Sequence, residues 1–153
     1  MLDHDGVFTL HLEEGWRVTG GAGPPTYELQ HPAKDGAMHI SVYYRYPAPI
    51  TGSEAQEAMT RFLDSIKPTG QVAIRVLPET ESQCRAVAKC TTADPESGQE
   101  YNWVIFMIFW KNNFLLCTCN AHPGSGMVDE AEMLFASIAP AEPRGGFLRR
   151  RRR

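Results

Sequence analysis

No stretch of this 153-residue chain approaches the roughly 20 apolar residues that a membrane-spanning helix requires. The apolar run at residues 104–110 has the length of a buried strand. The opening, Met1-Leu2-Asp3-His4-Asp5-Gly6, is acidic and lacks the basic and then apolar regions of a secretory leader, which sets the expectation of a cytoplasmic protein. Cysteine is sparse. The four present are expected as reduced thiols and not as a disulfide framework. The histidines, His4, His11, His31, His39 and His122, are scattered, and none forms an H-x-x-x-H pair on a helix. There is no internal repeat. These absences argue against a membrane span, a disulfide scaffold, a helical zinc motif and a repeat array.

What remains has the balance of an ordinary globular domain, with 42% apolar and 22% charged residues. The length fits one domain, which buries roughly 70% of its unfolded surface and needs no metal or disulfide to hold a core. We place that domain at residues 1–139 and read residues 140–153 as a disordered, Pro/Gly- and Arg-rich tail. The net charge of −3 conceals an asymmetry. Arg149 to Arg153 are all arginine, and the rest of the chain carries 18 acidic residues against the ten basic ones that remain of 15, a net of −8.

Period-two patterning marks strands at residues 8–12, 16–18, 27–31, 38–45, 72–77, 84–92, 101–110 and 114–121. In the seventh, Val104, Phe106 and Ile108 point one way while Trp103, Ile105, Met107 and Phe109 point the other, so it belongs inside a sheet covered on both sides. Ala55, Ala58, Met59, Phe62, Leu63 and Ile66 share one helical face, with a capping box at Ser53 and Gln56 or, equally well, at Thr51 and Glu54. Val128, Ala131, Leu134, Phe135 and Ile138 mark a second helix, ended by Pro140. The expected architecture is α+β: an antiparallel sheet flanked by helices on both faces, an α/β/α sandwich.

Three segments carry a family resemblance: the opening strand followed by Gly15-Trp16, the long hairpin over residues 101–121, and the closing helix ending Leu134-Phe135-Ala136-Ser137-Ile138. In their order, over about residues 7–139, the chain resembles the PsbP-like (Mog/PsbP-like) family. Where that family usually carries a proline, this chain has Glu13. The resemblance implies an α/β/α sandwich and a binding function without catalysis. Family members include a nuclear-transport factor, photosystem assembly subunits, bacterial lipoproteins and cytosolic chaperones of type VI secretion effectors. The chaperones cradle apolar effector segments on a sheet face. No binding residue is carried over from the family.

The chemistry-bearing motifs each have a plainer reading beside them. Cys117 and Cys119 share a strand face, Cys84 and Cys90 another, and His122 is near in sequence; zinc is conceivable, but the second pair has the wrong spacing and buried free cysteine suits a sheet core. Thr19-Gly20-Gly21-Ala22-Gly23 is followed by prolines and a strand, not by the helix a phosphate cradle needs. Ser125 beside His122 suggests a nucleophile and base, or an anion site at the backbone, yet the spacing is not that of a nucleophile elbow. No catalytic, cofactor-binding or metal-binding residue is assigned, and no cofactor is expected. Tyr43, Tyr44, Tyr46, Trp103, Phe109 and Trp110 are the candidate partner-binding residues, as an apolar groove on an open sheet face. The function so read is a protein-binding or adaptor module, in one version a chaperone for a secreted effector; the alternative is a small-ligand binder or an unrecognised enzyme. The expected partner is a protein or peptide, with self-association left open. Nucleic acid enters only nonspecifically, through the arginine tail.

Overall fold

Every residue from Val104 to Trp110 is buried, and that single strand organises the fold. A computed structural model of the chain describes residues 2–4, 7–20, 26–43, 50–77, 83–110 and 113–140. In chain order the elements are β1 (Leu2–His4), β2 (Phe8–Leu10), β3 (Arg17–Gly20), β4 (Thr26–Gln30), β5 (Ala37–Tyr43), α1 (Gly52–Ile66), β6 (Thr69–Val76), β7 (Gln83–Ala93), β8 (Glu100–Trp110), β9 (Asn113–Ala121), α2 (Met127–Ala136) and β10 (Ala139–Pro140). Seven strands form one antiparallel sheet in the order β3-β4-β5-β9-β8-β7-β6, and a second sheet has the order β1-β2-β10. Of the tail, residues 141–153 lie outside the described residues. Pro140, which the sequence places in that tail, instead pairs with Phe8 as part of β10, on the rim of the small sheet where a missing N–H is tolerated.

Two cores lie on the two faces of the large sheet. On one face, Val104, Phe106 and Ile108 of β8, Leu115, Cys117 and Cys119 of β9, and Met38, Ile40 and Val42 of β5 meet Met127, Ala131 and Phe135 of α2 together with Phe8 and Leu10 of the small sheet. On the other, Ile105, Met107 and Phe109 meet Ala55, Met59 and Leu63 of α1 across a row of small residues on β7: Cys84, Ala86, Ala88 and Cys90. That row is why the helix can settle there. Small side chains on β7, flanked by Val72, Ile74 and Val76 of β6 and by the bulky row of β8, make a trough for the ridge of residues four apart on α1. Thr51 caps the helix: its hydroxyl accepts the Glu54 N–H at 3.3 Å, and the Glu54 carboxylate accepts the Thr51 N–H at 2.9 Å. Of the two capping boxes open to the sequence, the structure therefore uses Thr51 with Glu54.

This arrangement corrects the expected α/β/α sandwich with helices on both faces. The described chain is mostly strand, in two sheets, with two helices. Its helices do not form two covering layers: α1 packs chiefly on β6, β7 and β8, and the opposite face is closed by α2 jointly with the small sheet. The physical reason lies in β1, β2 and β10. Phe8 and Leu10 alternate as the sequence suggests, but they pair with Leu2–His4 and with Ala139–Pro140 and turn their apolar side onto the core as a separate layer.

Three contacts fasten α2 and the small sheet. Arg85 of β7 donates to the carbonyls of Ala136 (3.2 Å) and Ile138 (2.7 Å), supplying positive charge where the helix ends. Lys34 pairs with Glu130 and lies 5.6 Å from the centre of the Trp16 ring. Trp16 meets His31 edge-on at 5.4 Å. Gly15, at φ 96°, makes that last approach possible, because a Cβ there would stand 2.6 Å from the His31 ring.

Two substitutions test this packing. Ala88→Leu fills the trough under α1 and is expected to cost about 1–3 kcal/mol, read as a lower urea midpoint with an unchanged slope. Gly15→Ala is expected to cost at least about 1 kcal/mol through the positive φ and the His31 clash. A wild-type midpoint in either variant contradicts the packing described.

Candidate functional site

The six aromatics chosen from the sequence do not gather on one surface. Trp110 is buried at 4% exposure in the α2-side core, while Phe109, at 3%, belongs to the α1-side core on the other face. Trp103 is half-buried on the α1 side, where its indole N–H donates to the Thr92 hydroxyl at 2.8 Å. Tyr44 and Tyr46 lie outside the described residues. Tyr43 alone is open, at 39% exposure. Its ring stacks on Phe114 at 5.3 Å, and Phe114 stacks on Phe109 at 4.6 Å. A short aromatic ladder thus runs from the core to the surface along one row of β8, β9 and β5.

That row borders a feature the sequence reading did not resolve. Beyond β9, no helix or strand among the described residues packs over the α1 side of the sheet. By strand register the face from β9 outward presents Thr118 and Asn120 of β9, Ala37, His39 and Ser41 of β5, Thr26, Glu28 and Gln30 of β4, and Arg17 and Thr19 of β3, with Leu116 at its border packed against the core beneath α1. The face turns from apolar beneath α1 to polar and hydrogen-bonding beyond it. The signal was in the sequence as the alternation of β5 and β4, whose inward positions are apolar and outward positions polar.

A cleft of about 530 Å³ lies on the other side of the sheet, at the N-terminus of α2. Its floor carries Thr69, Thr91 and Asn102, with Thr91 Oγ1 3.2 Å from Asn102 Oδ1; its walls carry Lys89, His122 and Asp129. Lys89 pairs with Glu132 and stands 3.8 Å from Asp129. None of Thr69, Thr91, Asn102 or Lys89 was singled out from the sequence, because they converge only through pairing of three strands. Ser125 and His122 do not act on each other as nucleophile and base. The Ser125 hydroxyl accepts the Met127 N–H at 3.2 Å, and the His122 ring faces Gln99 at 3.3 Å and Asp35 at 3.5 Å. Thr19 and Gly20 sit in β3; Gly21, Ala22 and Gly23 lie outside the described residues.

The cysteines divide between the cores. Cys117 and Cys119 face α2; Cys84 and Cys90 face α1. The sheet separates the pairs, so they cannot share a metal ion, and among the described residues no group of three or more His, Cys, Asp or Glu is placed to hold one. Burial pushes the Cys90 thiol up to about 11 and the Cys119 thiol up to about 12. Burial raises Cys117 as well, with the nearby Arg85 guanidinium offsetting part of the effect. Unfolded thiols ionise near about 8.5, so the native state keeps protons that the unfolded state releases; the stability this contributes is complete below that pH and is lost as pH rises towards the native values. At pH 8 a thiol reagent is expected to modify the native chain about 100-fold more slowly than the chain in urea, and fast native labelling of Cys117 or Cys119 would contradict their placement.

No helix among the described residues is long and apolar enough to cross a membrane. No protein-family model matches the chain, and no curated protein matches it. Among solved structures, the chain is similar to a crystal structure from Bacteroides thetaiotaomicron VPI-5482 determined at 1.50 Å resolution, with a TM-score of 0.61 and 15% sequence identity. The match covers 92% of this chain and 47% of that one, so the chain spans about half of its length. At that identity the likeness is one of fold alone.

Proposed function

We propose that this chain is a protein-binding or adaptor module whose partner lies across the uncovered half of the large sheet, over β4, β5 and β9. One observation carries the reading: among the described residues the α1 side of the sheet is covered over β6, β7 and β8 and left open beyond β9, with the Tyr43–Phe114 stack at the boundary. An exposed aromatic backed by a half-buried one is a rigid anchor that loses little entropy on contact, and hydroxyl and amide side chains around it can meet a partner's polar groups. The PsbP-like resemblance supports the same class of function. The narrower role, a chaperone cradling apolar segments of a secreted effector, draws support from the Tyr43–Phe114–Leu116 corner; the polar remainder supports the broader reading.

A second reading, a small-ligand binder, is favoured by the cleft at the start of α2. Its converging hydroxyl, amide, ammonium and carboxylate groups suit a small polar ligand with both donors and acceptors.

The test is retrieval of the tagged full chain from its own cells, with partners identified by mass spectrometry and affinities then measured on the purified pair. Tyr43→Ala and Thr118→Arg are expected to weaken binding at least about tenfold each while leaving the thermal midpoint within a few degrees of wild type. A partner held equally well by both variants places the interface elsewhere. If no partner is retained and a polar ligand raises the melting temperature in a manner abolished by Asn102→Leu, the cleft is the site.

A further inference from the structure

The large sheet ends in β6 on one side, and among the described residues no strand pairs with its outer edge. Every second residue of that strand directs its N–H and C=O away from β7, so among the described residues the edge presents a row of hydrogen-bonding groups that no neighbouring strand meets. Proteins usually blunt such edges with an inward charge, a proline in the strand or a bulge. Here Thr69–Val76 contains no proline, and its one charge, Arg75, lies on the α2 side, 3.5 Å from Glu132. A register irregularity between Thr69 and Ala73 disturbs only the first half. Regular pairing with β7 runs from Ala73 to Val76; on the α1 side Val72, at the end of the irregular segment, and Ile74 and Val76 beyond it are packed against the core beneath α1 yet only partly buried.

We propose that β6 is the interface with a second copy of this chain, the two β6 strands pairing antiparallel about a two-fold axis centred on Ile74. The sequence of the edge is self-complementary in that register. Ile74 faces Ile74 of the second copy and Val72 faces Val76, joining the partly exposed apolar rims of the two α1-side cores. On the other side of the ribbon Ala73 faces Arg75, so the two arginines do not oppose one another. The neighbouring register centred on Arg75 sets the arginines face to face, and the one centred on Ala73 aligns fewer β-branched pairs and draws further on the irregular segment, beyond Val72. Antiparallel pairing about an axis normal to the sheet keeps both α1 helices on one side. It therefore leaves the uncovered half-faces beyond β9 free at the two outer ends of a continuous sheet, and the pairing stands independently of the partner proposed for that face.

The test is the solution mass of the full chain by light scattering over a range of concentrations, on wild type and on two variants of the exposed Ala73. Wild type is expected at twice the 17.1 kDa of one chain at high concentration. Ala73→Arg places two arginines opposite the two Arg75 side chains and is expected to weaken dimerisation at least about tenfold; Ala73→Glu sets a carboxylate opposite each Arg75 and is expected to retain or tighten the dimer. A wild-type monomer throughout the range overturns the proposal. So does a dimer that Ala73→Arg and Ala73→Glu affect equally, which places the contact elsewhere, and so does capture by β6 of an extended peptide in preference to a second copy.

Discussion

The fold rests on a mismatch in side-chain size between neighbouring strands. On the α1 side, β7 offers Cys84, Ala86, Ala88 and Cys90 where β8 offers Trp103, Ile105, Met107 and Phe109. A helix laid on a flat apolar sheet finds no preferred track, whereas a row of methyl-sized groups beside a row of large ones defines a trough. Ala55, Met59 and Leu63 fill that trough. Because it runs along β7, α1 sits to one side of the sheet and, among the described residues, leaves the half beyond β9 uncovered. The position of the open surface is therefore a consequence of core packing and not an independent feature.

The opposite face solves the same problem differently. There the row of large residues extends across β5, β9 and β8, too wide for one ten-residue helix to cover. The small sheet supplies the rest with Phe8 and Leu10, and Arg85 ties the end of α2 to β7 as the chain passes into β10. The first and last described strands, β1 and β10, thus meet in the second layer, and the turn between β9 and α2 opens the polar cleft at the helix start.

Much of this was legible in the sequence for simple reasons. The two-faced apolar alternation of residues 103–110 fixes a strand covered on both sides, and the three–four spacing from Ala55 to Ile66 fixes α1. The small sheet was not legible as a separate layer. Leu2–His4 and Ala139–Pro140 are too short for periodicity to register, and they are strands only because both pair with β2. The candidate site was less accessible still. Alternation assigns Phe109 and Trp110 to opposite faces, but it says nothing of which face a helix will cover or how far that cover extends. Tyr43 could be named from its type. Phe114, which backs it, and Thr91 and Asn102, which meet in the cleft, become neighbours only once cross-strand register is known.

α1 covers the β7 trough, and among the described residues the same face is open beyond β9. Methyl-resolved NMR of the full chain with a soluble paramagnetic relaxation agent tests it most directly. The account predicts strong broadening of the methyl groups of Ala37, Thr26 and Thr118 and protection of those of Ala86 and Ala88. Broadening of Ala86 and Ala88, or protection of Ala37, Thr26 and Thr118 equal to theirs, would contradict it.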